Sequence, residues 1–159
     1  MSSDFDINFG PWINYGKGDK TNQIGDKMEE LVSMSWSPFN GCDYAQVFIF
    51  CMAYAVAKGF KPDKPPGSGG SMPASAFKSE MRNFMKAVAI THENDLDIIT
   101  KPNEVVKICE GYAYAGFLEV WDTIKNRNSA ISAEMIIDSI LHEIESEHTI
   151  TCALSRDGF

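Results

Sequence analysis

The chain has 159 residues, 44% of them apolar and 23% charged, and a net charge of −8. That length suits one domain with a real core and is short for two. The composition excludes wholesale disorder, and the acidic balance excludes a molecule coated in nucleic acid.

The charge is uneven along the chain. Residues 58–107 hold eight Lys/Arg against six Asp/Glu, whereas the remainder holds six against sixteen. A local basic face on an acidic body is therefore allowed. The longest strongly apolar run, Val47 to Ala57, falls well short of the roughly 20 residues of a membrane span. It reads as a buried helix, and no membrane contact is expected. The opening "MSSDFDINFG" lacks the basic-then-apolar order of a signal peptide, which points to a cytoplasmic protein. Cys42, Cys51, Cys109 and Cys152 are scattered with no CxxC pair. Buried free thiols are expected, with neither a disulfide framework nor a zinc site.

Taken in chain order, residues 1–19 mix glycines with aromatics and read as an irregular arm or a short strand. From Lys20 to Met34 the apolar residues Ile24, Met28, Leu31 and Val32 recur at the spacing of an amphipathic helix. Pro38 and Gly41 then make a turn, and Asp43 is placed to cap the next helix. That helix, "YAQVFIFCMAYAVAKGF", is apolar nearly all round, with Gly59 as its stop. A helix without a wet face is the centre of a bundle or is covered by a partner chain.

The stretch "KPDKPPGSGGSMPAS" holds four prolines and three glycines. It predicts a long surface loop at about 61–75 with no helix or strand, and it lacks the pattern of a phosphate loop. From Ala76 to His92 the helical period returns, with Phe77, Met81, Phe84, Met85 and Val88 on one stripe. A short piece, "NDLDIIT", follows. Pro102 then stops it, and Asn103 is expected to cap a helix that runs on through Gly111 and Gly116. A last helix is expected from about Ser132, stapled by Ile131 and Ile136.

These elements make an all-α fold, a compact single-domain bundle of five or six helices over 20–150. The N-terminal arm (1–19) and a C-terminal tail (151–159) flank it.

The polar clusters point weakly to chemistry. His142, Glu145 and His148 lie three apart and do not converge on one helix face, so a solvated helix end is the commoner meaning. His92, Glu93, Asp95 and Asp97 could do acid–base work if burial tuned them, but acid-rich turns without a catalytic role are more frequent. No activated Ser or Cys motif is present. The chain is therefore read as having no catalytic residues, no metal and no cofactor. Lys78, Arg82 and Lys86 form a ridge at helical spacing, with Lys61 and Lys64 near it in the loop. Such a face can meet a phosphate backbone, although a wet helix face is also usually charged.

Two stretches carry a resemblance, "FNGCDYAQVFIFCMAYAVAKGFK" at 39–61 and "FMKAVAITHENDLDIITKPNEVVKICEGYAYAGFLEVW" at 84–121. Together they resemble a small family of accessory proteins of the Dnd system, the "Dnd system-associated protein 4" type. That system replaces a DNA phosphate oxygen with sulfur and supports defence against foreign DNA. The chain differs from the family's pattern in its acidic, aromatic N-terminus and in the single glycine after Ala115.

The resemblance implies a non-enzymatic component of a phosphorothioation-dependent restriction system. It would contact other defence proteins, and DNA through the basic face. The nearly all-apolar helix also suggests a homo-oligomer or a bound partner. A stand-alone nucleic-acid-binding regulator is the alternative. The resemblance further suggests that Gly111, Ala115 and Gly116 form one packing notch for the helix 44–58.

Overall fold

A helix without a wet face must be covered on every side, and the fold is arranged round one. The computed structural model describes residues 12–67 and 72–126, together with Asp138, Leu141 and His142. Among them are four α-helices: α1 (Ile24–Ser33), α2 (Tyr44–Ala57), α3 (Ser79–Glu93) and α4 (Pro102–Lys125). Two strands of two residues, β1 (Trp12–Ile13) and β2 (Met72–Pro73), and 3-10 turns at Ala74–Ala76 and Leu96–Thr100 complete them. The protein is mostly helical. The helix expected from Ser132 and the tail at 151–159 lie outside the described residues, apart from Asp138, Leu141 and His142.

The apolar helix is α2, and its cover comes from within the chain. Val47, Phe48, Cys51, Met52 and Ala55 are buried, and Ile49, Phe50 and Val56 are half-buried against the same core. It packs chiefly on α4, with a smaller contact to α1. Both ends of α2 are fixed by local chemistry. Asp43 accepts from the Gln46 N–H at 2.8 Å, and the Gln46 side chain accepts from the Asp43 N–H at 2.9 Å, a full capping box. At the other end Gly59 adopts φ +73°, where glycine is at ease. The Phe60 N–H reaches Ala55 O at 2.9 Å and the Gly59 N–H reaches Val56 O at 3.1 Å, which is a Schellman stop.

Several sequence expectations need correction. The mostly helical fold is broadly the expected one, and beside the helices stands one small sheet in which β1 and β2 pair antiparallel, Trp12 opposite Pro73 and Ile13 opposite Met72. The short strand is one of the two expectations for the arm, whereas the Pro/Gly stretch, expected to hold no strand, does contain one. Burial sets this pairing. Ile13 and Met72 enter the core while Trp12 stays outside, and a two-residue ladder leaves no periodic signal. Pro73 is tolerated because the ladder has only edges.

Phe77 precedes α3 and stands edge-on to Phe48 at 5.4 Å. Phe84 is exposed, because the buried line of α3 runs through Met85, Val88 and Ala89. Asn103 is not the cap of α4. Lys101 takes that place and Pro102 opens the helix as its first residue, where a missing N–H costs nothing.

Candidate binding cleft

The two glycines of α4 serve two different neighbours. Gly116 lies against α2: a Cβ there would collide with the carbonyl oxygen of Cys51 and stand 3.1 Å from Ala55 Cβ. Gly111 lies instead under the loop that leaves α2. A Cβ on it would come 2.8 Å from Pro62 Cβ, and its carbonyl accepts the Asp63 N–H at 3.0 Å. Ala115 is half-buried between them in sequence. The notch is thus divided. Gly116 seats a helix, and Gly111 seats a loop.

That loop forms one wall of a cleft of about 590 Å³. Trp12 and Asn14 of the N-terminal arm form a second wall, and α4 supplies the floor with Lys107, Ile108, Glu110 and Gly111. Because Gly111 has no side chain, Pro62 and Asp63 can lie directly on the helix.

The arm is held over α4 by two polar ties. Asn14 N–H donates to Glu110 Oε1 at 2.8 Å. Tyr114 Oη donates to Asp19 Oδ2 at 2.6 Å, and Asn22 donates to the same carboxylate through its backbone and its side chain. Gly16, at φ +101°, passes so close to the Tyr114 ring that a Cβ would stand 2.8 Å from it.

These ties set the local acidities. The Tyr114 hydroxyl bond, followed by the two from Asn22, holds the Asp19 carboxyl below its ordinary value. Burial, then the Asp19 bond and charge, pushes the Tyr114 phenol up to about 12. Burial also raises Glu110, while the Asn14 N–H and the Lys107 charge pull the other way. Glu110 is thus a half-buried carboxylate with one oxygen engaged. Its second oxygen has no hydrogen-bond partner among the described residues.

No protein-family model, curated protein or solved structure matches this chain. The site is therefore judged on its own chemistry.

The five expected basic residues do not gather at one place. Lys64 lines the cleft, whereas Lys61 borders a separate groove with Val56, Val88, His92 and Tyr112. Lys78 is the exposed N-cap residue of α3. Arg82 turns back on the chain: Nε donates to Phe77 O at 3.0 Å and Nη2 to Ala74 O at 3.2 Å. Lys86 is half-buried. Lys107, which spacing alone did not single out, joins Lys64 in the cleft.

The acid–base cluster separates. His92 Nδ1 shares a 2.8 Å hydrogen bond with Tyr112 Oη, and Asp95 caps the Leu96–Thr100 turn by accepting from Asp97 N–H at 2.9 Å. No bond joins His92, Glu93 and Asp95 to one another. Cys51 and Cys109 are buried, and burial pushes both thiols up, so neither is an activated nucleophile. Cys109 Sγ donates to Met85 O at 3.3 Å. No cluster able to hold a metal exists among the described residues. His142 is exposed there, while Glu145 and His148 lie outside them. No helix among the described residues is long and apolar enough to cross a membrane.

Sequence reasoning missed Trp12, Asn14, Lys107 and Glu110. The one available signal was Glu110 beside Gly111, a carboxylate next to a position stripped of its side chain. Nothing in the order of residues joined it to Trp12.

Proposed function

We propose that the protein is a non-enzymatic accessory component of a DNA phosphorothioation-dependent defence system, acting through contacts with other proteins of that system and with DNA. The observation that carries this reading is the seat of Gly116 on Cys51 and Ala55. It joins the two stretches that bear the family resemblance, 39–61 and 84–121, into one packing unit. A binding role also suits the cleft, whose charged lining is two lysines and two carboxylates beside an exposed indole. Cys51 and Cys109 are buried, and His92 is paired with Tyr112.

The test is genetic and direct. In a host carrying a complete phosphorothioation and restriction system, removing this chain should change either the sulfur content of the DNA or the restriction of unmodified plasmid. Restoring it in trans should reverse the change. If both properties stay the same in its absence, the reading is wrong.

A stand-alone nucleic-acid-binding regulator is the second reading, favoured by Lys64 and Lys107 beside Trp12. It predicts binding to DNA that falls steeply with salt in the absence of any other protein. Charge reversal at Lys64 or Lys107 should then weaken binding more than reversal at Arg82, whose guanidinium is bonded to Phe77 and Ala74.

A further inference from the structure

The cleft between the arm, the 62–67 loop and α4 brings three kinds of surface together. An exposed indole alone means little. Here Trp12, 55% exposed, borders a cleft whose other apolar walls are Pro62, Pro65 and Ile108. Its volume, about 590 Å³, falls within the roughly 300–1,000 Å³ typical of small-ligand sites. Glu110 contributes a carboxylate whose position is fixed by Asn14, and Lys64 and Lys107 contribute cations.

A pure anion would meet Glu110 and Asp63 there, and a pure cation would meet the two lysines. The lining suits a ligand with a donor edge, a flat apolar body and an anionic end. A nucleotide has those parts in that order. Among the bases, guanine presents two adjacent donors, N1–H and N2–H, to the two oxygens of a carboxylate. Adenine and cytosine set one amino donor beside a ring-nitrogen acceptor, which would face the carboxylate unfavourably. Thymine and uracil set one N–H between two carbonyls.

We propose that this cleft binds a guanine nucleotide, with the base lying on Trp12, its N1–H and N2–H donating to Glu110, and its phosphate met by Lys64 and Lys107. Base–aromatic stacking supplies affinity, and hydrogen bonds to the Watson–Crick edge supply the choice of base. Glu110 is half-buried and poorly solvated, a setting in which hydrogen bonds count for more. Lysine meets phosphate as a point charge, so that end of the site is salt-sensitive. The inference needs only the cleft and stands apart from the defence-system reading. Either a free nucleotide or an unpaired guanine in a single strand supplies the same chemistry.

The full chain would be titrated with GMP and AMP, and with short oligothymidylates bearing one central guanosine or one central adenosine. Calorimetry and tryptophan fluorescence would be read. The guanine member of at least one pair should bind about 10-fold more tightly than its adenine counterpart. Glu110→Gln, which keeps an acceptor for the Asn14 N–H, should bring the two within about 2-fold. Trp12→Ala should weaken binding by about 10-fold and remove the quenching. Lys107→Ala, at an exposed position, should flatten the salt dependence without disturbing the fold. Binding of GMP marks the free nucleotide as the ligand; binding of the strand alone marks an unpaired base. Equal affinity for guanine and adenine, a preference untouched by Glu110→Gln, or no binding of any probe would overturn the proposal.

Discussion

Gly116 stands with its α-carbon against the carbonyl of Cys51, so that a single methyl group added there would strike the backbone of α2. A helix interior normally gains about 1 kcal/mol when Gly becomes Ala. Here the overpacking term, about 1–3 kcal/mol, opposes that gain. A backbone carbonyl inside a helix cannot swing aside, so the upper end of the range should apply. Gly116→Ala is expected to destabilise the protein by about 2 kcal/mol in urea titration. A neutral or stabilising result would show that α2 and α4 are not in close contact at this point.

Gly111→Ala should behave differently. Its obstacle is Pro62, an atom of a loop rather than of a helix. The loop can yield, and the propensity gain of about 1 kcal/mol partly offsets the shift. Global stability should therefore change by less than at Gly116, while the Asp63–Gly111 hydrogen bond weakens. Amide hydrogen exchange would report this as faster exchange at Asp63, with α2 unaffected. Faster exchange in α2 would return Gly111 to a shared seam with Gly116.

The start of α2 rests on Asp43. Its carboxylate accepts the Gln46 N–H, one of the donors that a helix start leaves unpaired. Asp43→Ala should cost about 1 kcal/mol, and Asp43→Ser much less. Thermal unfolding of the two variants beside the wild type would separate loss of the cap from loss of charge.

Phe48 is the pivot between α2 and the segment that follows β2. It is buried and meets Phe77 edge-on at 5.4 Å. Phe48→Ala should destabilise by about 3–5 kcal/mol, through lost transfer energy and the cavity left behind. Phe77→Ala should cost a similar amount, and the double variant less than the sum because the two rings share one contact. Strict additivity in that cycle would mean the rings do not depend on each other.

How much of this was legible follows from the range of each interaction. The cap at Asp43, its partner Gln46 and the stop at Gly59 all act within a few residues, so local pattern sufficed. The buried line Ile24, Met28 and Leu31 was equally plain, since one face of a short helix repeats in register. Gly116 could be read as a notch, and its neighbour could be guessed from the greasiness of α2. Gly111 could not be assigned correctly, because helical spacing put it on the same seam while Pro62 arrives from a loop. The cleft was illegible for the same reason. Its walls come from 12–14, 62–67 and 107–111, and the arm is drawn over α4 by bonds between residues far apart in sequence, Asn14 with Glu110 and Asp19 with Tyr114. Arg82 was read as part of a basic ridge because spacing shows where a residue starts and not where a long side chain ends.

Acid should act with opposite sign on the two carboxyls that tie the arm to α4, Asp19 and Glu110. Asp19 has its folded-state value held below the ordinary 3.8, first by the Tyr114 hydroxyl. Its contribution to stability is therefore present above that ordinary value and lost as pH falls through the lowered one. Tyr114→Phe removes the first cause. It should lower the urea midpoint at neutral pH, and its curve should converge on the wild type as the pH drops below about 4. Glu110 is raised above its ordinary 4.5 by burial. Its favourable contribution is present below 4.5 and is lost as pH rises through the folded-state value. Glu110→Gln should thus be at least as stable as the wild type at neutral pH and should lose that advantage in acid. Urea midpoints from pH 3 to 7 for the three proteins would check both signs. A Tyr114→Phe deficit that persists undiminished in acid would mean that the hydroxyl stabilises the arm by packing or another bond, and not through the Asp19 charge.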